Sequence, residues 1–386
     1  MRSKVKKICF VIGSLERGGA EIHLTRVLPQ LDKNHFEARV FCFVRKGELA
    51  PVLEKQGVKV IEPELLGALA KRSIFFKPIL LVVSILFFLL FLIRFRPHLV
   101  HFFLPSSYLL LGPVSLLHWR SQKVMSRRSM NVYQRKYPPI VRRIELWLHN
   151  KMDCVVGNSQ RVINELRIDE GVTEEKLHLI YNGISIDEGS ITSRDRIRKS
   201  LGLSFDGLVM TVVANLIPYK GHIDLLEACK LLSRRDWELV IVGRDSAGIQ
   251  KRLEYFTLEN NLQNNVHFIG PRNDVSDLWA ASDIGLLVSH EEGFSNALLE
   301  GMSANLPMIV TSVGGNDEAV INGETGIVVP PKNPEALSKA IERLLGDAEL
   351  RLMMGKKAGE RVREIFSLQS CVDQYETLYK RLLSNG

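Results

Sequence analysis

Glu292 and Glu300 bracket the turn Gly293-Phe294-Ser295-Asn296 within the run SHEEGFSNALLEGMSANLPMIVTSVGGNDE. A glycine ahead of a helix start leaves backbone N–H groups aimed outward, where the helix dipole favours an anion. A carboxylate inside such a helix accepts hydrogen bonds from sugar hydroxyls while the helix start holds phosphate, and that pairing suits a nucleotide-sugar. Two solvated surface glutamates are the bland alternative. It is weakened at Glu300, which sits among Ala297, Leu298, Leu299, Met302 and Ala304, a poor setting for an idle charge.

The elements that must position this run alternate strand and helix. In the second half, strands are expected at 208–214, 238–242, 266–269, 284–288, 308–311 and 327–329, with helices between them at 223–232 and 334–345 among others. The first half carries the same alternation, with strands at 8–12, 38–44, 59–61, 99–103, 123–126 and 154–156. Such a pattern argues for parallel sheets with helices on both faces. At 386 residues the chain exceeds one ordinary core. The fold class expected is α/β, two doubly wound Rossmann-like domains facing across a cleft, with ligands at the carboxyl ends of the strands. The polar stretch Ser185–Arg198 marks the boundary. It separates a first domain over 1–185 from a second over 186–365, with a C-terminal helix over 366–386 packing back toward the first.

Charge is unevenly shared. Residues 1–185 hold 29 Lys and Arg against 15 Asp and Glu, while the remainder is mildly acidic. A basic half faces phosphate of some kind: nucleic acid, anionic lipid or a phosphorylated substrate. Nucleic acid is disfavoured, because the basic half lacks interleaved aromatics. The five cysteines are scattered without C-x-x-C and read as small core residues in a reducing compartment. The apolar run after MRSKVKK is too short for a signal peptide, which implies a cytoplasmic location. Other chemistries lack their residues. Gly13, Gly18 and Gly19 have the wrong spacing for a dinucleotide fingerprint, and no G-x-S-x-G, H-E-x-x-H or clustered Cys/His set occurs.

Taken together, Gly-Gly-Ala-Glu (18–21), Tyr-Asn-Gly-Ile (181–184), Ala-Asn-Leu-Ile-Pro-Tyr-Lys-Gly (214–221), Phe-x-Gly (268–270), the Glu292-to-Glu300 run, Gly-Gly-Asn-x-Glu (314–318) and Gly-Glu-Thr-Gly-x-x-Val-Pro (323–330) resemble the family-4 retaining glycosyltransferases of GT-B architecture, in this order and over nearly the whole chain. The resemblance implies that Lys220 contacts the donor diphosphate and that Glu292 lies beside the transferred sugar. Both are thereby the candidate catalytic residues. Glu300 is implied on the ribose hydroxyls, with backbone N–H groups of Phe294, Ser295 and Asn296 on sugar hydroxyls or phosphate. Gly18 and Gly19 let the first loop approach donor phosphate or acceptor.

Two departures stand out. The family places an arginine five residues before the lysine, where this chain has Asn215, which cannot supply charge. Arg244 or Arg272 is expected to fill the gap. A histidine near the sugar also often follows the strand that here reads Val-Met-Ser-Arg-Arg, and Arg127 and Arg128 occupy that region. These two, with His101 at the end of another strand, are the candidate acceptor residues. The implied reaction is retaining transfer from a nucleotide-sugar, a UDP-sugar first, to a lipid-linked or surface-glycan acceptor, with no metal and no cofactor. A nucleotide-sugar epimerase of the same architecture and a non-catalytic sugar-nucleotide-binding protein are the alternatives.

One segment lies outside this chemistry. Residues 78–93 read PILLVVSILFFLLFLI, flanked by Lys77, Arg94 and Arg96. The run falls short of the roughly 20 residues that span a bilayer. A helix apolar all round suits a buried crossover, but with this much flanking positive charge the expectation is docking on an anionic membrane surface, the protein being peripheral on the cytoplasmic face.

Overall fold

A computed structural model describes residues 5–63, 77–186, 192–204 and 207–384. The chain divides into two compact units, 1–183 with 368–386, and 184–367. Each is built on one wholly parallel sheet.

The first unit carries β1 (Lys6–Ser14), β2 (Phe36–Arg45), β3 (Lys59–Ile61), β4 (Leu99–Phe103), β5 (Gln122–Arg127), β6 (Cys154–Gly157) and β7 (Leu177–Leu179). They lie in the order β3-β2-β1-β4-β5-β6-β7. Central strands covered on both faces read as unbroken apolar runs, as ICFVI does in β1. Alternation along that strand divides the core in two. Ile8, Phe10 and Ile12 pack with the helices Gly19–Val27 and Leu368–Ser384, while Cys9 and Val11 pack with Lys77–Phe95, Pro105–Ser115 and Pro139–Lys151. All five cysteines are free and buried.

The second unit carries β8 (Leu208–Val213), β9 (Trp237–Val242), β10 (Val266–Gly270), β11 (Ile284–Leu287), β12 (Met308–Thr311) and β13 (Gly326–Val329), ordered β10-β9-β8-β11-β12-β13. Strand order reverses between β8 and β11, so the loops leaving these two strands diverge at a switch point where α/β sheets bind ligands.

The structure adds detail to the sequence reading at three places. Leu177–Leu179 adds a short edge strand, paired with β6. The two units part between Gly183 and Ile184, next to the polar stretch Ser185–Arg198, and that stretch runs into the helix Thr192–Leu201, where Arg198 is buried and its Nη2 lies 2.7 Å from Asp283 Oδ2. The apolar segment forms the helix Lys77–Phe95, and it is two-faced. Ser84, Phe88, Leu92 and Phe95 are buried, whereas Val82, Leu86, Leu90 and Ile93 are exposed, Leu90 to 64%. The side chains of 77–81 lie outside the described residues. Among the described residues no helix is long and apolar enough to cross a membrane.

Candidate donor site in the second unit

The loops after β8 and β11 are locked together before any ligand arrives. Gly221 sits in the left-handed region (φ 71°) and a Cβ there would lie 2.1 Å from Val288 O. Only glycine allows that approach. The His290 backbone N–H donates to Tyr219 O at 2.7 Å, and His290 Nε2 lies 2.6 Å from Asp224 Oδ2. After β12, Gly314 (φ 54°) passes so close to Glu292 that a Cβ would meet its carbonyl oxygen at 2.1 Å. Gly315 N–H then donates to Gly293 O at 2.8 Å. Three loops from three strands therefore converge on Glu292.

Within that frame Lys220 Nζ donates to Glu292 Oε1 at 2.6 Å, and Ser289 Oγ donates to the same oxygen at 2.8 Å. Both members of the pair are largely buried, with 18% and 10% of their side chains exposed. Burial alone would lower the Lys220 pKa. The attraction and hydrogen bond of Glu292 outweigh it and leave the pKa raised, so the ammonium is retained. His222 is buried at the start of the helix His222–Leu231. Burial first, and the Lys220 charge second, push its pKa down to about 4, so it stays neutral beside the ammonium.

Ser295 caps the helix Asn296–Ser303, its Oγ accepting from Leu298 N–H at 3.3 Å. Phe294 is buried against Phe366, with ring centroids 5.3 Å apart, which fixes the backbone entering this helix. Asn296 is the first helical residue, and Glu300, half-buried, follows one turn later in the same helix. Asn215 does not act as a charge. Its Oδ1 accepts from the Arg244 backbone N–H at 3.1 Å and ties the end of β8 to the end of β9. Arg244 itself is exposed there, whereas Arg272 is clamped by Asp274 through contacts of 2.8 and 2.6 Å. Both arginines lie just past the carboxyl ends of strands, Arg244 after β9, which neighbours the switch-point strand β8, and Arg272 after the edge strand β10.

The five candidates in the first unit separate. Gly18 is the N-cap of the helix Gly19–Val27, where an added Cβ would meet Glu21 Oε2 at 2.4 Å, while an added Cβ at Gly19 would meet no atom within 4 Å. His101 is corrected by its surroundings. It is fully buried, with Nδ1 2.9 Å from Tyr379 Oη and Nε2 2.8 Å from Ser126 Oγ, a satisfied core histidine whose nitrogens are both taken. Arg127 is corrected likewise. It is buried, and Nη2 reaches Glu145 Oε1 and Glu170 Oε2 at 2.9 Å each. His149 Nε2 also meets Glu170, at 2.8 Å. Glu145, His149 and Glu170 are spaced as a metal triad would be, but the Arg127 guanidinium takes the cation's place. Arg128 is the member held in the half-buried layer, hydrogen-bonded to Asn182 and, at 3.4 Å, to Tyr375 Oη.

Sequence reasoning missed Ser289, His290 and Asp224, which brace Glu292 and the Lys220 turn. A serine three residues before the glutamate on the same loop was the available signal.

Residues 17–188 match the model for "Glycosyltransferase Family 4", and residues 193–361 match that for "Glycosyl transferases group 1". Among curated proteins, the chain is 32% identical over 235 residues to an N-acetyl-alpha-D-glucosaminyl L-malate synthase of Bacillus anthracis, spanning 60% of each chain. It is 29% identical over 242 residues to an Escherichia coli UDP-Gal:alpha-D-GlcNAc-diphosphoundecaprenol alpha-1,3-galactosyltransferase, spanning 61% of each. These matches cover about three-fifths of the relatives' own length. Among solved structures, Anabaena HepE in complex with UDP-glucose superposes with a TM-score of 0.83 at 23% identity, covering 97% of this chain and 99% of that one, a likeness of fold. Two parallel-sheet domains, two adjoining family models and the Glu292–Lys220 site converge: the chain belongs to the family-4, group 1 glycosyltransferases of GT-B fold.

Proposed function

We propose that the protein is a retaining, metal-independent glycosyltransferase that moves a sugar from a UDP-sugar to a hydroxyl of a lipid-linked or surface-glycan acceptor, working peripherally at the cytoplasmic membrane face. The observation that carries this reading is the Lys220–Glu292 pair at the switch point of the second sheet. An ammonium and a helix start face the place where a leaving diphosphate needs charge, and a buried carboxylate stands beside them for sugar hydroxyls. The names of the relatives support the donor and acceptor kinds: one is a UDP-Gal-dependent transferase acting on a diphosphoundecaprenol glycan, and one solved neighbour holds UDP-glucose.

In the proposed reaction the bond from the sugar's anomeric carbon to the diphosphate oxygen breaks as the acceptor oxygen bonds the same face. The acceptor proton passes to an oxygen of the departing phosphate. Lys220 and the Asn296–Ser303 helix start stabilise the charge that develops, Glu292 and Glu300 orient donor hydroxyls, and Arg244 supplies the second cation. Arg128 serves the acceptor. The exposed apolar stripe Val82, Leu86, Leu90 and Ile93 supports the peripheral location.

Incubation with UDP-sugars and a polyprenyl-diphosphate glycan, in the presence of a chelator, tests the reading. Elongated acceptor whose new linkage keeps the donor's anomeric configuration by NMR is expected. An inverted linkage or abolition by the chelator would overturn the mechanism, and interconversion of the donor sugar without transfer would overturn the function.

A further inference from the structure

We infer that the first unit carries a binding site for the phosphate headgroup of an anionic phospholipid, formed by Lys7, Arg39 and Arg94 around Phe91 and Phe95. The inference rests on the membrane-docking part of the proposed function and says where on the chain the lipid charge is read.

Strand alternation builds the site. Residues of β1 and β2 that share a face with Cys9 and Val11 pack beneath the helix Lys77–Phe95: Phe41 lies against Phe87, Phe88 and Phe91. Two residues before Phe41 on the same face is Arg39, the register partner of Cys9, and two before Cys9 is Lys7. The apolar floor therefore gives way to cations as the strands run back toward their starts. Above them the helix ends, and a cavity of about 210 Å³ lies between strand and helix, lined by Lys7, Arg39, Phe91, Arg94 and Phe95. The Arg39 guanidinium sits 4.2 Å from the Phe95 ring centroid and Lys7 Nζ 5.4 Å from it. Lys7 Nζ also donates to Phe95 O at 3.3 Å, which holds the ammonium at the rim.

Charge and position identify the ligand. Among the described residues Glu37 is the one carboxylate paired into the cluster, its Oε1 accepting from Arg39 Nε at 2.9 Å, so there three cations meet one anion, an excess of +2. Lys59, the register partner of Arg39, adds to the same face. A phosphodiester or phosphomonoester matches that excess and the cavity's size. The site also terminates the exposed apolar stripe: Leu90 and Ile93 adjoin Phe91 and Arg94. Neighbouring elements on this face of the sheet expose Trp119 beside Arg120 and Trp147 beside Lys151, pairs that suit a membrane–water interface. A ligand whose phosphate fits the cations while its apolar part continues along the stripe is a phospholipid in a bilayer, rather than a soluble phosphate or a second copy of this equally basic face.

Flotation of the full-length protein with vesicles of pure phosphatidylcholine, and of phosphatidylcholine with phosphatidylglycerol, tests this. Wild type is expected to bind both and to prefer the anionic vesicles. The Lys7→Gln/Arg39→Gln/Arg94→Gln variant should lose roughly 10- to 100-fold in partitioning to anionic vesicles, each cation being worth several-fold there, while keeping its residual binding to neutral ones and its thermal shift with UDP. Arg94→Glu, a single change on an exposed position, guards against misfolding of the triple variant and should lower the anionic preference on its own. If wild type floats with the anionic preference and both variants keep it, the headgroup site is refuted and the docking reading stands. If wild type floats with neither vesicle, docking itself is refuted. If glycerol phosphate shifts wild-type melting while vesicles do not bind, the site takes a free phosphoester and the lipid assignment is overturned.

Discussion

Replacing Lys220 by alanine isolates the charge on which the proposed chemistry depends. In the ligand-free structure its ammonium is held 2.6 Å from Glu292 Oε1, and the same oxygen keeps Ser289 Oγ at 2.8 Å when the lysine is gone. Glu292 thus retains one partner, and the loop locks through Gly221, His290 and Gly315 do not involve the lysine side chain. The fold should survive with a loss of about 1–3 kcal/mol, the range for leaving a buried polar group short of a partner. Catalysis should suffer far more. Losing a preorganised charge at a developing leaving group removes about 2.7–4 kcal/mol of transition-state stabilisation, or roughly 100- to 1000-fold in turnover. Lys220→Arg keeps the charge but replaces a point donor by a planar fork, so it should recover only part of the rate. Steady-state release of UDP with saturating acceptor gives kcat, and a thermal melt of each variant separates chemistry from folding. Because the Lys220 pKa is raised, the ammonium persists through neutral and mildly alkaline pH, and donor affinity should not fall between about pH 7 and 9.5. Lys220→Ala turning over near the wild-type rate while melting normally would refute the assignment of this lysine to the leaving group.

Arg127→Ala leaves Glu145 and Glu170 buried without their cation and should destabilise the first unit by about 3–5 kcal/mol, read as a lower urea midpoint; an unchanged midpoint would mean the network carries no stability. Burial alone would raise the Glu170 pKa, but the His149 hydrogen bond and the Arg127 charge outweigh it and hold the carboxyl down to about 2. Its contribution is then complete above the ordinary glutamate range near pH 4.5. As pH falls through that range toward 2 it is lost, by about 3 kcal/mol in all, and unfolding monitored from pH 7 to 2 should show this acid limb shrink in Arg127→Ala. Gly221→Ala, at a left-handed position where the new Cβ would lie 2.1 Å from Val288 O, should weaken UDP binding and lower the melting temperature together; a variant that binds and melts normally would show that the loop lock is dispensable. Leu86→Glu with Leu90→Glu changes two exposed side chains, so the variant should stay folded and detach from vesicles; unfolding would place that face in a core instead.

Much of the fold was readable because strands buried on both faces leave mostly apolar runs, unbroken as ICFVI in β1 and interrupted only by Thr211 in β8 and Glu238 in β9. The misses have physical causes. Leu177–Leu179 is a three-residue edge strand, too short for periodicity to register. The helix Thr192–Leu201 is overwhelmingly polar, and what anchors it is Arg198 reaching Asp283, a partner far along the chain. The helix Lys77–Phe95 is apolar on every side, so nothing in its sequence marked which face would be covered. The site divided in the same way. The structure pairs Lys220 with Glu292 and puts Ser295 at the N-cap of the helix Asn296–Ser303, all within runs that the family resemblance singled out. Arg127 looked like a ligand residue because it ends a strand beside a second arginine, and His101 because a lone histidine stands in the apolar strand Leu99–Phe103. Their true partners, Tyr379, Glu145 and Glu170, come from remote positions that only the folded sheet brings in.

Hydrogen exchange with and without UDP tests the central claim most directly, since it asks the chain where the nucleotide sits. The account predicts slowed exchange confined chiefly to residues 214–221, 243–245 and 288–300, and loss of that protection in Lys220→Ala. Protection elsewhere in the chain with these loops unchanged, or protection here that the lysine variant keeps in full, would contradict it.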